Sequence, residues 1–465
     1  MKDNRFSRRE LLQKGTLLAL GAPFLRRRDE GTPGPEMRVV SQDANTWKPD
    51  RPMTAVVLGA GNRGNTYSGY SLKFPDELKI VGVAEPNEFR RNRFAKKYQI
   101  PEKYQWVTWE HALQIPKFAD ALIITTPDHL HYGPAMGGLK LGYDMVLEKA
   151  IAQTWKECND ILKLTVTTGR IVAICHVLRY TPYFRKLREI MNSGEIGEVV
   201  SVQHLEPVEH VHMSHSFVRG NWRNTKESNP MILSKSCHDL DILRWMIGRP
   251  CTKISSFGSL TFFNKAHAPK GSTMRCTEGC KVEATCPFSA LKIYYRNRTW
   301  LSHMDLPSEG DQGPAIMKHL KDGPYGRCVF HCDNDVVDHQ ITNMEFEGKI
   351  TASFSMEALT SYAGRRTRVM GTKGDVVGDE NTLTVFDFST RKETVWDART
   401  AAKVQSGHGG GDYGLLHDFI RAVSTKDARV LTSTIQESME SHLMAFKAEE
   451  SRHGGKTMTV RMSKP

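Results

Sequence analysis

Four groups of residues in this sequence have types and spacings that suit chemistry. The first is Gly59-Ala60-Gly61-Asn62-Arg63-Gly64, with Glu85 following 21 residues beyond its last glycine. Such a loop allows a tight turn at the first glycine and close approach of backbone to a pyrophosphate at the second. The third permits close helix–strand packing. The amides and positive end of a following helix would then face phosphate. Glu85 can accept from both ribose hydroxyls, which selects NAD; Arg90 and Arg91 nearby keep NADP as the alternative. The second group is Glu148-Lys149. A lysine beside a desolvated cofactor can exchange the proton of an alcohol, or polarise a carbonyl in the reverse direction. The third is His238 with Asp239, Asp241 and Lys235 around it, an imidazole suited to proton transfer near neutral pH. The fourth is Cys276-x3-Cys280-x5-Cys286, three thiols close enough to begin a zinc or iron–sulfur ligand set but lacking a local fourth. Cys328, His331 and Cys332 are candidates for it, and a disulfide with one free thiol is the competing reading.

The elements that position these groups read as alternating strands and helices. The apolar run 53–58 leads directly into the glycine loop, a helical segment follows to about Phe74, and the strand 78–84 ends at Glu85. Two further buried-type strands, 119–125 and 144–149, end in Thr126-Pro127-Asp128-His129-Leu130-His131 and in Glu148-Lys149. In open parallel sheets ligands lie at these carboxyl ends. Later, His210 and His212 alternate and are expected on one face of a strand. With Trp222 and Arg223 they are candidates for a pocket recognising a polyhydroxylated substrate, a metal site being the alternative. Asp335, Asp338 and His339 form another polar cluster, and residues 433–452 read as a long core helix.

The combination Thr126-Pro-Asp-His-Leu-His131, Glu148-Lys149-Ala150, Arg179-Tyr180 and Gly194-Glu-Ile-Gly-Glu-Val199 resembles the glucose–fructose oxidoreductase / inositol dehydrogenase / rhizopine catabolism (Gfo/Idh/MocA) family over residues 52–460. The resemblance implies an α/β protein with an N-terminal Rossmann domain on a parallel sheet. A C-terminal α/β domain with an open, mixed, largely antiparallel sheet would close over the nicotinamide. It implies hydride transfer at a sugar, glycoside or cyclitol carbon, with Lys149 on the nicotinamide side. Cofactor contacts would come from Gly59 to Gly64, Glu85, Thr126, Pro127, His129, His131, Glu148 and Lys149. Substrate contacts would come from Arg179, Tyr180, His210, His212, Trp222, Arg223 and Lys235. Lys149, His238 and Asp241 would be catalytic. Ala150 replaces the family's usual proline, and Ser234 and Ser236 replace its usual aspartate and glycine ahead of His238. The segment from His408 to Tyr413 resembles one in NAD-dependent α-N-acetylgalactosaminidases, so glycoside cleavage by transient oxidation is a second reading; a cofactor-bound regulatory subunit is a third.

The divisions expected are 1–50 for a signal and linker, 51–176 for the nucleotide domain and 177–465 for the substrate domain, with a cysteine-bearing insertion at about 264–288. Ser7-Arg8-Arg9-Glu10-Leu11-Leu12 ahead of a short apolar run resembles a twin-arginine export signal and implies a periplasmic protein, a basic cytoplasmic tail being the alternative. Half of the net charge of +12 lies in residues 1–28. The rest carries no basic stripe interleaved with aromatics, which argues against nucleic acid as a partner. No apolar run reaches membrane-spanning length. By analogy the chain is expected to form a homo-oligomer.

Overall fold

The computed structural model describes residues 36–37, 47–307, 309–401 and 408–462. The twin-arginine segment lies outside them. Among the described residues no helix is long and apolar enough to cross a membrane.

The nucleotide half begins with β1 (Met53–Leu58), a run buried at five of its six residues, as expected of a central parallel strand. After the glycine loop, α1 (Asn62–Lys73) returns the chain to β2 (Leu78–Ala84), and α2 (Glu88–Tyr98) leads to the short β3 (Gln105–Trp106). β4 (Ala121–Ile124), α3 (Tyr132–Lys140), β5 (Asp144–Leu147), α4 (Trp155–Thr168) and β6 (Val172–Ile174) complete a six-stranded sheet. Its order is β3-β2-β1-β4-β5-β6, and every neighbouring pair is parallel. The order reverses between β1 and β4, which places a crevice where the glycine loop and Thr126 meet.

The second sheet is built from β7 (Val199–Pro207), β8 (Cys251–Ser259), β9 (His339–Phe346), β10 (Thr351–Glu357), β11 (Arg366–Gly371), β12 (Gly374–Gly378), β13 (Thr382–Asp387), β14 (Glu393–Asp397) and β15 (Met458–Thr459). They lie in the order β14-β13-β12-β11-β7-β10-β9-β8-β15. β7 and β10 pair in parallel, and the other pairings named here are antiparallel. One face packs on α5 (Pro182–Ser193), α6 (Cys237–Ile247) and α9 (Ile435–Gly454). The other stays open: the register partners Phe257 and Ile341 are both exposed.

Two features cross this division. Between β8 and β9 runs an insertion, longer than 264–288. It carries α7 (Gly313–Asp322) and its own small core of Ile293, Tyr294, Met304, Ile316 and Leu320. Within it, Leu291–Arg296 is helical. Near the C-terminus, α8 (Gly411–Thr425) places Leu415, Leu416, Phe419 and Ile420 in one buried core with Val57, Tyr67 and Ile123 of the nucleotide half.

Candidate active site

The glycine loop is shaped by close approaches that only glycine permits. Gly59 has φ of +100°, and a Cβ there would stand 2.6 Å from the Thr125 carbonyl oxygen. A Cβ at Gly64 would lie 2.1 Å from the Gly59 oxygen. At Gly61, by contrast, a Cβ would meet nothing within 4 Å. The constrained glycines hold the turn, and the middle one opens onto free space at the N-terminus of α1. A pyrophosphate fits that position. Close by, the buried Thr126 hydroxyl has no partner within the protein. Glu85 is buried at the end of β2 and accepts from the amides of Ala60 (2.8 Å) and Asn87 (3.0 Å), so its carboxylate is fixed beside the loop. These observations fit a dinucleotide: an amide-lined turn, an orphaned hydroxyl and an acid anchored beside the loop.

Arg63 behaves differently from a free cofactor contact. Its guanidinium donates to Glu148 and Asp412, each at 2.6 Å, and also bonds Tyr67. Burial works against the charge of Arg63, but Tyr67, Glu148 and Asp412 outweigh it and raise its pKa well above the usual value. Asp412 in turn lies 3.3 Å from His408 Nδ1. His131 is likewise committed: its ring nitrogens stand 2.6 Å from the Ala150 carbonyl and 2.9 Å from that of Thr126. His129, exposed, meets the Glu227 carbonyl at 2.8 Å. Arg63, His129 and His131, expected to contact the cofactor, are thus each engaged by neighbouring groups of the protein.

Lys149 follows β5 and donates through Nζ to the Ser234 carbonyl at 2.6 Å. That carbonyl ends the turn Met231–Ser234, so the lysine reaches from one half of the molecule to the other. The Nζ also stands 5.9 Å from the Trp222 ring centroid. Trp222 is itself held by Asp128, whose carboxylate also accepts from Ser228 and Asn229. The Lys149–Ala150 peptide bond is cis.

His238 is buried in α6, and its Nδ1 has no partner within the protein. Its ring lies 6.0 Å from that of His176 and 5.9 Å from that of His408. Burial, then the nearby Lys149 ammonium, drives its pKa well below the ordinary imidazole value. The shift favours the neutral ring, whose Nδ1 is left without a partner.

Several expected site residues are used elsewhere. Arg179 is buried and grips Asp241 with two bonds of 2.6 and 2.7 Å. Asp241 also accepts from Ser441. Tyr180 bonds Ser433 at 2.8 Å. These three fasten α9 to the body of the molecule, and Asp241, Arg179 and Tyr180, expected as a catalytic group and substrate contacts, are each bonded within the protein. Arg223 is paired with Glu227 and Asp333. Lys235 lies 3.4 Å from Glu206, within a cluster where Arg365 joins Glu206 and Asp239. Burial would raise the Asp239 pKa, yet Arg365 and His204 hold it below the usual range.

His210 and His212 do not share a strand face. β7 ends at Pro207, Glu209 turns with φ of +75°, and His210–His212 is a helical turn. His210 pairs with Glu209 at 2.6 Å. His212 stacks on Trp300 of the insertion at 4.8 Å, and burial, then Lys235, pushes its pKa down to about 2. Asp338 accepts from the amides of Thr261 and Phe262, and Asp335 from Thr225. Both are turn-holding groups.

The zinc expectation at Cys276, Cys280 and Cys286 finds no support: among the described residues no three or more His, Cys, Asp or Glu side chains gather closely enough to hold a metal ion.

Sequence reasoning passed over His176, His442, Arg365 and Asp305. His176 lies in the run Ile-Cys-His-Val-Leu and reads as core, and it is fully buried with neither ring nitrogen bonded. Asp305, in the insertion, pairs with Arg90 at 2.7 Å and accepts from Asn87, over 200 residues away in sequence.

A profile described as the oxidoreductase family, NAD-binding Rossmann fold, matches residues 53–176, and one described as its C-terminal alpha/beta domain matches 188–460. The chain belongs to the Gfo/Idh/MocA oxidoreductase family. As a member it is an NAD-binding oxidoreductase with the two-sheet α/β architecture of that family. The Bacillus subtilis (strain 168) protein YteT is 24% identical over 74% of this chain and 83% of its own length. The scyllo-inositol 2-dehydrogenase (NAD(+)) of the same organism is 25% identical, over 44% of this chain and 56% of its own length. The 2,7-anhydro-N-acetylneuraminate hydratase of Escherichia coli (strain K12) is 25% identical over 46% and 54%. The fold is similar to an inositol dehydrogenase homolog complexed with NAD+ from Azotobacter vinelandii, with TM-score 0.65 and 14% identity over 88% of this chain and 98% of that one. A levoglucosan dehydrogenase in complex with NADH and levoglucosan aligns with TM-score 0.64 and 15% identity over 89% and 100%.

Proposed function

We propose that this oxidoreductase moves a hydride between NAD and a hydroxyl-bearing carbon of a sugar, glycoside or cyclitol. The observation that carries the reading is Lys149 at the carboxyl end of β5, tethered to the Ser234 carbonyl just ahead of α6, the helix that carries His238 with its unpartnered Nδ1. The names of the inositol dehydrogenase and levoglucosan dehydrogenase relatives support the substrate class. The bound nicotinamide would supply the hydride acceptor. The protein's part is to place the substrate hydroxyl between Lys149 and His238. The ammonium of Lys149 stabilises charge developing on the oxygen, and His238 Nδ1 receives the hydroxyl proton as the C–H bond is lost. Asp128 orients Trp222 as one wall. NAD is preferred over NADP because Glu85 faces the ribose position while Arg90 is neutralised by Asp305 and Arg91 bonds the Glu85 carbonyl.

A second reading is hydrolysis or elimination through transient oxidation with a resident cofactor. It is favoured by His408, oriented by Asp412, standing beside His238, which offers a second proton-exchanging group. The test of both is incubation of the purified protein with a panel of sugars and cyclitols, with and without added NAD. Reduction of added NAD supports the first reading, cleavage of an aryl glycoside without it supports the second, and neither for any polyol sinks both. We further propose export by the twin-arginine route, checked by fractionating cells carrying Arg8→Lys/Arg9→Lys, and self-association through the open face bearing Phe257 and Ile341, checked by sedimentation.

A further inference from the structure

Residues 300–305 of the insertion reach both halves of the molecule. At one end, the Trp300 ring lies 4.8 Å from that of His212 and 4.9 Å from that of His215. His303 adds a ring 4.7 Å from His215. Both partner histidines belong to the turns that follow β7, and Met213–Arg219 there is buried at every residue. Arg219 ties those turns to the insertion again, donating to the carbonyls of Phe288 at 2.6 Å and Arg327 at 2.7 Å. At the other end, Asp305 accepts from Arg90 at 2.7 Å and from Asn87 at 3.2 Å, where α2 begins. Met304 and Leu306 are buried in the insertion's own small core, so Asp305 between them turns outward to meet α2. The chain from 300 to 305 can span at most about 18 Å, so the two halves are pinned close together here.

The spot on which Asp305 lands is tied to the glycine loop. Asn87 caps α2 by accepting from the Arg90 amide at 3.0 Å. Its own amide donates to one oxygen of Glu85 at 3.0 Å, and the other oxygen of Glu85 accepts from the Ala60 amide at 2.8 Å. A single run of hydrogen bonds therefore joins the turn that fits a pyrophosphate, the acid expected at the ribose, and the insertion. At the opposite end the backbone is strained. Arg298 and Trp300 have φ of +54° and +59°, in the left-handed region that favours glycine. Such conformations persist where surrounding contacts over-determine them, and they gather at clamps and switch regions.

We propose that residues 300–305 form a clasp over the adenosine end of the bound NAD, with Trp300 against His212 and His215 as its hinge and Asp305 against Arg90 and Asn87 as its catch. The catch must open for the dinucleotide to leave, so NAD is released slowly and behaves as a resident group. The inference rests on NAD binding and not on the substrate class proposed above, and its test needs no polyol.

The test is stopped-flow release of NADH from the full chain, read by its own fluorescence after mixing with excess NAD. Asp305→Ala and Arg90→Ala should each speed release by about tenfold. The double variant should release no faster than either alone, because both changes remove the same contact. Trp300→Ala should also speed release, although the ring contacts of Trp300 given above lie on the substrate half. Arg296→Ala, elsewhere in the insertion, should leave the rate as it is, and urea unfolding midpoints show that each variant is folded. Release at the wild-type rate from Asp305→Ala or from Trp300→Ala overturns the proposal. So does additivity in the double variant, which would make Arg90 a direct contact to the cofactor.

Discussion

The glycine loop and the β8–β9 insertion are built on opposite principles. In the loop, neighbours in sequence are neighbours in space, and backbone geometry does the work: Gly59 and Gly64 are fixed by contacts measured in tenths of an ångström. In the insertion, structure rests on groups that meet across long stretches of chain, as Asp305 meets Arg90 and the Cys276 amide meets the Gly326 carbonyl. Local geometry can be read from one sequence, whereas long-range encounters need the fold.

That contrast can be tested from its strongest consequence downwards. Lys149→Ala removes a cation tied across both halves, and kcat/KM should fall on the order of a thousand-fold while NAD binding, followed by fluorescence titration, changes little. A loss below tenfold would remove Lys149 from the chemistry. Asp412→Asn leaves Arg63 and Glu148 without their third member, and breaking such a buried pair should cost about 3–5 kcal/mol in urea unfolding. Little or no change would mean the triad is not a brace.

Acid should act mainly through the substrate half. Burial holds the pKa values of His212 at about 2 and of His215 and His442 at about 3, and those of His176 and His238 well below the ordinary value. The unfolded imidazoles take up protons below about pH 6.5 while the folded ones do not. Their stabilising contribution is therefore present above that pH and declines as pH falls through it. The expected slope is at least about 1.4 kcal/mol per pH unit. Unfolding midpoints at several pH values check this, and His442→Gln, which can still accept from the Ile151 amide, should flatten the slope. The smallest effect concerns cofactor choice. Asp305→Asn frees Arg90 and should tighten NADP binding by about tenfold relative to NAD. An unchanged ratio would show that the insertion does not reach the ribose.

The sequence carried the nucleotide half nearly element by element. The strand 53–58, the loop, the strand 78–84 and Glu85 fall where periodicity and glycine spacing put them, because each depends on local sterics and continuous burial. The places of Lys149 and His238 were legible for a related reason: each sits at an element end whose boundary is marked in sequence. The partners of Arg179, Tyr180, Arg223 and Asp241 were not legible, because residue type alone does not say what a side chain is already bonded to. His210 and His212 alternate as strand residues do, but Glu209 breaks the strand before them. Asp305 and Arg219 had no signal, since their partners lie in other elements and charge pairing leaves no periodic trace.

The placement of α8 has a consequence for how this chain comes into being. Leu415, Leu416, Phe419 and Ile420 finish the core begun by Val57 and Tyr67. A ribosome emitting the chain from its N-terminus delivers the glycine loop early and the helix that covers its neighbours some 350 residues later. At roughly 5–20 residues per second, the apolar side of the nascent nucleotide sheet stays bare for tens of seconds. A fragment ending near residue 176 should therefore be a client of chaperones and not an independent folding unit.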